Sequence, residues 1–199
     1  MKILVVDDLE VQRQAARQTL AGHDLTIVEG YDEALSDFGI MDSEMRFQKE
    51  NPAYDVMLTD LLMPGGSYQS MGWAQQEAMG FPLALLAAQR GIKVVGVVSS
   101  GSHHNHPAMG ALDYLSGFGR GLYMKHEPLP TTFTINGAKV GFFGQAPVVH
   151  VEGTVCESCS GSGEDKFGGG KDDTHYCNGT GKAKGKDWGR VLRFLTTGE

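Results

Sequence analysis

Two carboxylates close the first apolar run of the chain, Ile3-Leu4-Val5-Val6-Asp7-Asp8, and a third closes a later run, Val56-Met57-Leu58-Thr59-Asp60. Short apolar runs rich in β-branched residues predict buried parallel strands. In open α/β sheets, chemistry gathers beyond the carboxyl ends of such strands. Three carboxylates meeting there cannot all ionise at low cost without a cation. The pattern therefore points to a divalent metal and a phosphoryl group.

The chain has 199 residues, enough for one α/β core with an appendage, and 21% charged residues against 41% hydrophobic ones place it among globular sequences. A formal charge of −7 argues against broad electrostatic binding to nucleic acid. No run of about 18 apolar residues is present, so no membrane span is expected. The first residues read as a strand rather than a basic and apolar leader, and the expected location is cytoplasmic.

Strand-like and helix-like segments alternate over the first two thirds of the sequence. Strands are expected at residues 2–6, 25–28, 56–59, 93–98 and 122–124, with helices at residues 9–20, 31–38, 82–89 and 107–116. Residues 39–53 read as a loop or irregular extension, and residues 65–80 as a connection longer than it needs to be. The alternation predicts a doubly wound, five-stranded parallel sheet. The pattern then changes. Two strand-like runs flank Asn136-Gly137, the signature of a type I′ hairpin. The closing segment, led by Asp187 as helix cap, puts Trp188, Val191, Leu192 and Leu195 on one face. The expected organisation is an α/β core over residues 1–130, an inserted hairpin and metal module over 131–186, and a closing helix over 187–199 that packs on the core.

Right-handed crossovers would bring the ends of strands one and three together. Magnesium takes oxygen ligands in an octahedron, and Asp7, Asp8 and Asp60 would suit it. Ser99 and Lys125 follow the fourth and fifth expected strands, where a hydroxyl and an ammonium could hold phosphoryl oxygens.

These residues resemble the receiver domain of bacterial two-component response regulators. The resemblance runs through Ile3-Leu-Val-Val-Asp-Asp8, Leu58-Thr-Asp-Leu-Leu-Met-Pro64, Val97-Val-Ser-Ser100 and Lys125, and covers about residues 1–125. It implies a receiver, or flavodoxin-like, fold with Asp60 as phosphoacceptor and Asp7 and Asp8 as the acidic metal pair. It further implies that the backbone of Leu62 completes the magnesium site, that Ser99 senses the phosphoryl group and that Lys125 pairs with it. The implied partners are a histidine kinase or phosphotransfer protein and an output protein that the sequence does not identify. Leu122 stands where the family carries an aromatic residue, and His126 where it carries proline.

All three cysteines lie in one segment. Cys156-Glu-Ser-Cys159 is followed, after fifteen intervening residues, by His175-Tyr-Cys177. Three Cys and one His at such spacing would suit tetrahedral zinc better than a disulfide framework. The repeat Cys159-Ser-Gly-Ser-Gly163 and Cys177-Asn-Gly-Thr-Gly181 resembles the cysteine-rich zinc module of the DnaJ chaperone family over about 26 residues. That resemblance implies a zinc site but not chaperone activity. A redox pair at Cys156 and Cys159 is a further alternative. Lys182, Lys184 and Lys186 read as a solvated run, with RNA contact as the alternative, and His103, His104 and His106 as an exposed cluster, with metal binding or pH sensing as the alternative.

The leading expectation is thus a magnesium-dependent phosphoacceptor in a phosphorelay that signals through protein contacts. One alternative is a non-phosphorylated pseudo-receiver scaffold with structural zinc. Another is a metal-dependent phosphohydrolase roofed by residues 65–80. Any enzymatic activity of the receiver reading is limited to phosphorylation and dephosphorylation of its own aspartate.

Overall fold

A computed structural model describes residues 1–38, 54–65, 76–99, 107–110, 130–157, 159–163, 177 and 179–198. The main sheet contains β1 (Lys2–Val6), β2 (Asp24–Val28), β3 (Val56–Asp60), β6 (Val94–Val98), β7 (Thr131–Ile135) and β8 (Ala138–Phe143). Two short ribbons pair β4 (Met63–Pro64) with β5 (Gln76–Glu77) and β9 (Val148–His150) with β10 (Lys184–Lys186). The helices are α1 (Glu10–Thr19), α2 (Tyr31–Asp37), α3 (Gly80–Gln89) and the closing α4 (Trp188–Thr197). A further helical stretch occupies residues 107–110.

The sheet order is β2-β1-β3-β6-β8-β7. The first five of these run parallel, and β7 joins the edge antiparallel to β8. This is the doubly wound parallel arrangement expected, in the flavodoxin-like order 2-1-3-4-5. The strands are apolar on both faces, as covered parallel strands must be. Alternate residues serve opposite cores. Leu4, Val6, Met57, Val95 and Val97 face α2 and α3, whereas Ile3, Val5, Leu58 and Val98 face α1 and α4.

One assignment differs from expectation. The hairpin was expected as part of an insertion outside the sheet, but its second strand, β8, is the fifth parallel strand, pairing with β6 from Val94↔Lys139 to Val98↔Phe143. The turn itself forms as its chemistry demands, with Asn136 and Gly137 both at positive φ (49° and 78°). A hairpin signal fixes which two strands pair, not which sheet receives them. Residues 122–124, expected as the fifth strand, lie outside the described residues, as do 39–53 and the histidine cluster.

The closing helix docks as its periodicity predicts, with Trp188, Val191, Leu192 and Leu195 buried. Asp187 caps it by accepting a hydrogen bond from the Arg190 N–H at 2.9 Å. Gly96 and Gly141 are register partners on adjacent strands beneath Leu195. A Cβ on Gly141 would lie 2.5 Å from Leu195 Cδ2, so the pair makes room for the helix.

Candidate functional site

The sheet register brings the three carboxylates together. β1 and β3 are neighbours, so Asp7 and Asp8 leave the sheet beside Asp60. Ligand oxygens of Asp7, Asp8 and Asp60 all lie within 4.8 Å of one another. Asp7 is fully buried, Asp60 is 7% exposed and Asp8 is half-buried.

The ammonium found among them is that of Lys186. Its Nζ lies 2.5 Å from Asp7 Oδ2 and 2.9 Å from Asp60 Oδ1, and the whole residue has no solvent exposure. The expectation that the lysines of 182–186 form a solvated run is therefore corrected at Lys186. Lys125 lies outside the described residues. Lys186 ends β10, which the β9–β10 ribbon lays across α1. Gln12 Oε1 accepts the Lys186 backbone N–H at 2.7 Å, and the Gln12 carbonyl accepts the Trp188 Nε1–H at 3.1 Å. Gly185 allows the close approach, since a Cβ there would lie 2.5 Å from the Ala15 Cβ.

The acid pair is pinned independently. Arg13 Nη1 donates to the carbonyls of Asp7 and Asp8 at 3.0 and 2.9 Å, and its guanidinium also pairs with Glu10 and Glu29. Asp7 Oδ1 accepts the Leu9 N–H at 3.0 Å, so both Asp7 oxygens are engaged. At Asp60, Lys186 and the Leu61 N–H both bind Oδ1. Gly80 lets α3 begin against this strand end, because a Cβ there would lie 2.3 Å from the Asp60 carbonyl oxygen.

Electrostatics follow from this packing. Burial pushes Asp7 up to about 6, against the opposing pull of Lys186. Asp8 is raised as well, by burial first and by Asp60 second. Burial alone would lower Lys186, but Asp60 and Asp7 more than offset it and hold the ammonium charged. With every group ionised, three carboxylates and one ammonium leave two negative charges uncompensated. Asp8 Oδ2 accepts from Gln76 Nε2 at 2.9 Å, while Asp8 Oδ1 is enclosed with no hydrogen-bond partner among the described residues. An orphaned carboxylate oxygen beside excess negative charge fits a divalent cation.

Of the other predicted residues, Leu62 lies two residues beyond Asp60, between β3 and β4. Ser99 follows β6 at the same sheet end. It is buried, and its hydroxyl donates to Met109 Sδ at 2.9 Å.

Cys156, Cys159 and Cys177 form a second cluster, all buried, with sulfurs within 4.8 Å of one another. Cys159 and Cys177 are 3.7 Å apart at sulfur. The two glycine repeats cross reciprocally: a Cβ on Gly163 would meet the Gly179 carbonyl at 2.4 Å, and one on Gly181 the Gly161 carbonyl at 2.2 Å. In each repeat a side-chain hydroxyl, Ser162 or Thr180, donates to the carbonyl of its own cysteine, at 2.9 and 2.7 Å. Burial raises the Cys177 thiol, but hydrogen bonds from the Gly181 N–H, the Cys159 thiol, the Gly179 N–H and the Cys156 thiol together outweigh it and leave the thiol below its ordinary value. His175 lies outside the described residues.

No family model matches the sequence, and no curated protein matches it. Among solved structures, the chain is similar to the response regulator protein TrrA of Thermotoga maritima in complex with Mg2+-BeF. The match has 21% identity and a TM-score of 0.35, and it covers 52% of this chain and 73% of that one. No helix among the described residues is long and apolar enough to cross a membrane.

Proposed function

We propose that this chain is a receiver-type signalling module that accepts a phosphoryl group on Asp60 from a histidine kinase or phosphotransfer protein. The observation that carries this reading is the convergence of Asp7, Asp8 and Asp60 around the buried Lys186, with two negative charges left over. Asp8 and Asp60, backed by Asp7 and the Leu62 carbonyl, would hold magnesium. When bound, that ion would offset repulsion between the carboxylates and the incoming phosphoryl oxygens.

The remaining chemistry belongs to the chain. Among the described residues the bonds to Asp60 fall on Oδ1, and Oδ2 is the proposed nucleophile. A P–O bond forms to Oδ2 as the donor's P–N bond breaks, and the electron pair of that bond stays with the imidazole. Lys186 then pairs with an oxygen of the transferred group, the role the resemblance assigns to a lysine and the reading of the sequence gave to Lys125. Ser99 is the proposed sensor of the phosphoryl group. The output is a protein contact. The cysteine cluster would hold zinc, with His175 as fourth ligand.

Incubation with magnesium and acetyl phosphate should add one phosphate, and Asp60→Asn should abolish the adduct. Failure to form an adduct, under conditions that phosphorylate a control receiver, would contradict the proposal. A scaffold that never accepts phosphate gains some support from the near-complete burial of Asp60. It predicts partner binding unchanged in Asp60→Asn.

A further inference from the structure

The cysteine cluster and the acidic nest are two ends of one ribbon. Cys156 N–H donates to the Gly181 carbonyl at 2.8 Å, and Val151 N–H to the Ala183 carbonyl at 2.9 Å. Ala183 N–H donates to Thr154 Oγ1 at 3.2 Å, and Lys182 pairs with Glu152 at 2.6 Å. The β9–β10 ladder continues this through Lys184↔His150 and Gly185↔Val149 to Lys186↔Val148. At that last rung the Lys186 side chain enters the nest between Asp7 and Asp60. The backbone ladder is interrupted once, where Glu152 and Gly153 turn (Gly153 φ 75°), and there the Thr154 Oγ1 and Glu152 side chains bridge the two arms.

The cysteine end is lightly packed among the described residues. Its buried apolar cluster consists of the three cysteines alone among the described residues, whereas the two faces of the sheet have extended cores. The backbone there is also expensive to order, with Ser160, Gly161, Gly163, Gly179 and Gly181 all at positive φ. Three buried sulfurs within 4.8 Å of one another, with the Gly163 N–H 3.3 Å from Cys159 Sγ, could hold a metal ion. A metal bound there would supply the order that packing does not.

We propose that the cysteine cluster is a control site for a thiophilic divalent cation of the zinc class, whose occupancy fixes Lys186 between Asp7 and Asp60. Metal at the thiolates closes the ribbon base, the ladder stays paired, and the ammonium is held in the nest. Without metal the base opens, the ladder frays toward β10, and Lys186 is released. The nest then carries three carboxylates with no internal cation. The functional meaning of that change rests on the phosphoacceptor reading, but the structural coupling does not.

Lysine acylation of the full chain, mapped by mass spectrometry, tests the coupling without magnesium or a phosphoryl donor. The protein would be compared zinc-loaded, stripped with a chelator selective for zinc, and reloaded. Lys186 should be protected with zinc, acylated at least about tenfold faster after stripping, and protected again on reloading. Lys139, whose ammonium donates to the Leu195 carbonyl at 2.7 Å on the sheet side, reports on the rest of the fold and should not change. Cys159→Ser and Cys177→Ser should reproduce the stripped pattern with no chelator present. The proposal is overturned if zinc does not bind, if Lys186 stays protected after stripping, or if Lys139 loses protection to the same extent. Absence of an Asp60 phosphate adduct would leave this result standing, and a normal adduct would not rescue it.

Discussion

The acidic nest and the cysteine knuckle each gather three ligand groups, but they are assembled in opposite ways. The nest draws on Asp7, Asp8, Asp60 and Lys186, residues far apart in sequence, and the sheet register and α1 bring them together. The knuckle draws on residues 156 to 177, and its geometry comes from glycine turns and local hydrogen bonds. The sheet is held by two extended apolar cores, one on each face. The knuckle has only its sulfurs among the described residues. One site is shaped by the sheet, whereas the other, on the proposal above, would take its order from a bound metal. Lys186 belongs to both, because a locally built ribbon supplies the counter-ion of a globally built site.

The largest expected effect breaks the link itself. Lys186→Met leaves Asp7 buried beside Asp60 with no cation, and should destabilise the chain by about 3–5 kcal/mol in urea unfolding. A loss near zero would mean that the nest does not depend on the ammonium. Gly181→Ala sharpens the contrast from the other side. Its φ of 71° and the 2.2 Å approach to the Gly161 carbonyl cannot accommodate a Cβ. A cost of about 1–3 kcal/mol should appear as zinc affinity weakened by roughly 5- to 150-fold in a competition titration, with β1 and β3 amide protection unchanged. Asp187→Ala removes the cap of α4 and should cost about 1 kcal/mol of stability without altering zinc affinity.

A separate effect is the pH dependence of the nest. The folded value of Asp7 is raised from 3.8 to about 6, so the folded state binds its proton more tightly than the unfolded state does. Its contribution to stability is therefore largest in acid and falls as pH rises from about 4 to about 6. Stability of the parent relative to Asp7→Asn should decline across that interval in denaturation series at each pH. A rise would show that Lys186 dominates over burial.

Much of the fold was legible because the local signals and the tertiary outcome agree. Strand-end carboxylates at Asp7, Asp8 and Asp60, the Asn136-Gly137 turn and the Asp187 cap each follow from a short stretch of sequence. The exceptions share one cause. Lys186 sits in a glycine-rich lysine run that resembles a solvated surface, and only the docking of β10 on α1, through Gly185 and Gln12, buries it. The position of β8 as the fifth parallel strand is likewise a long-range choice, since the hairpin motif is silent about the neighbour on its far side. Arg13 went unread for a similar reason: an arginine in an amphipathic helix carries no sign that it will grip the backbone of Asp7 and Asp8.

A crystal structure of the magnesium-loaded protein would decide whether the nest is a phosphoacceptor site. An octahedral ion is expected about 2.0–2.1 Å from carboxylate oxygens of Asp8 and Asp60, with Lys186 Nζ still beside Asp60. An ion bound elsewhere, or Asp60 turned away from the Asp7–Asp8 pair, would contradict it.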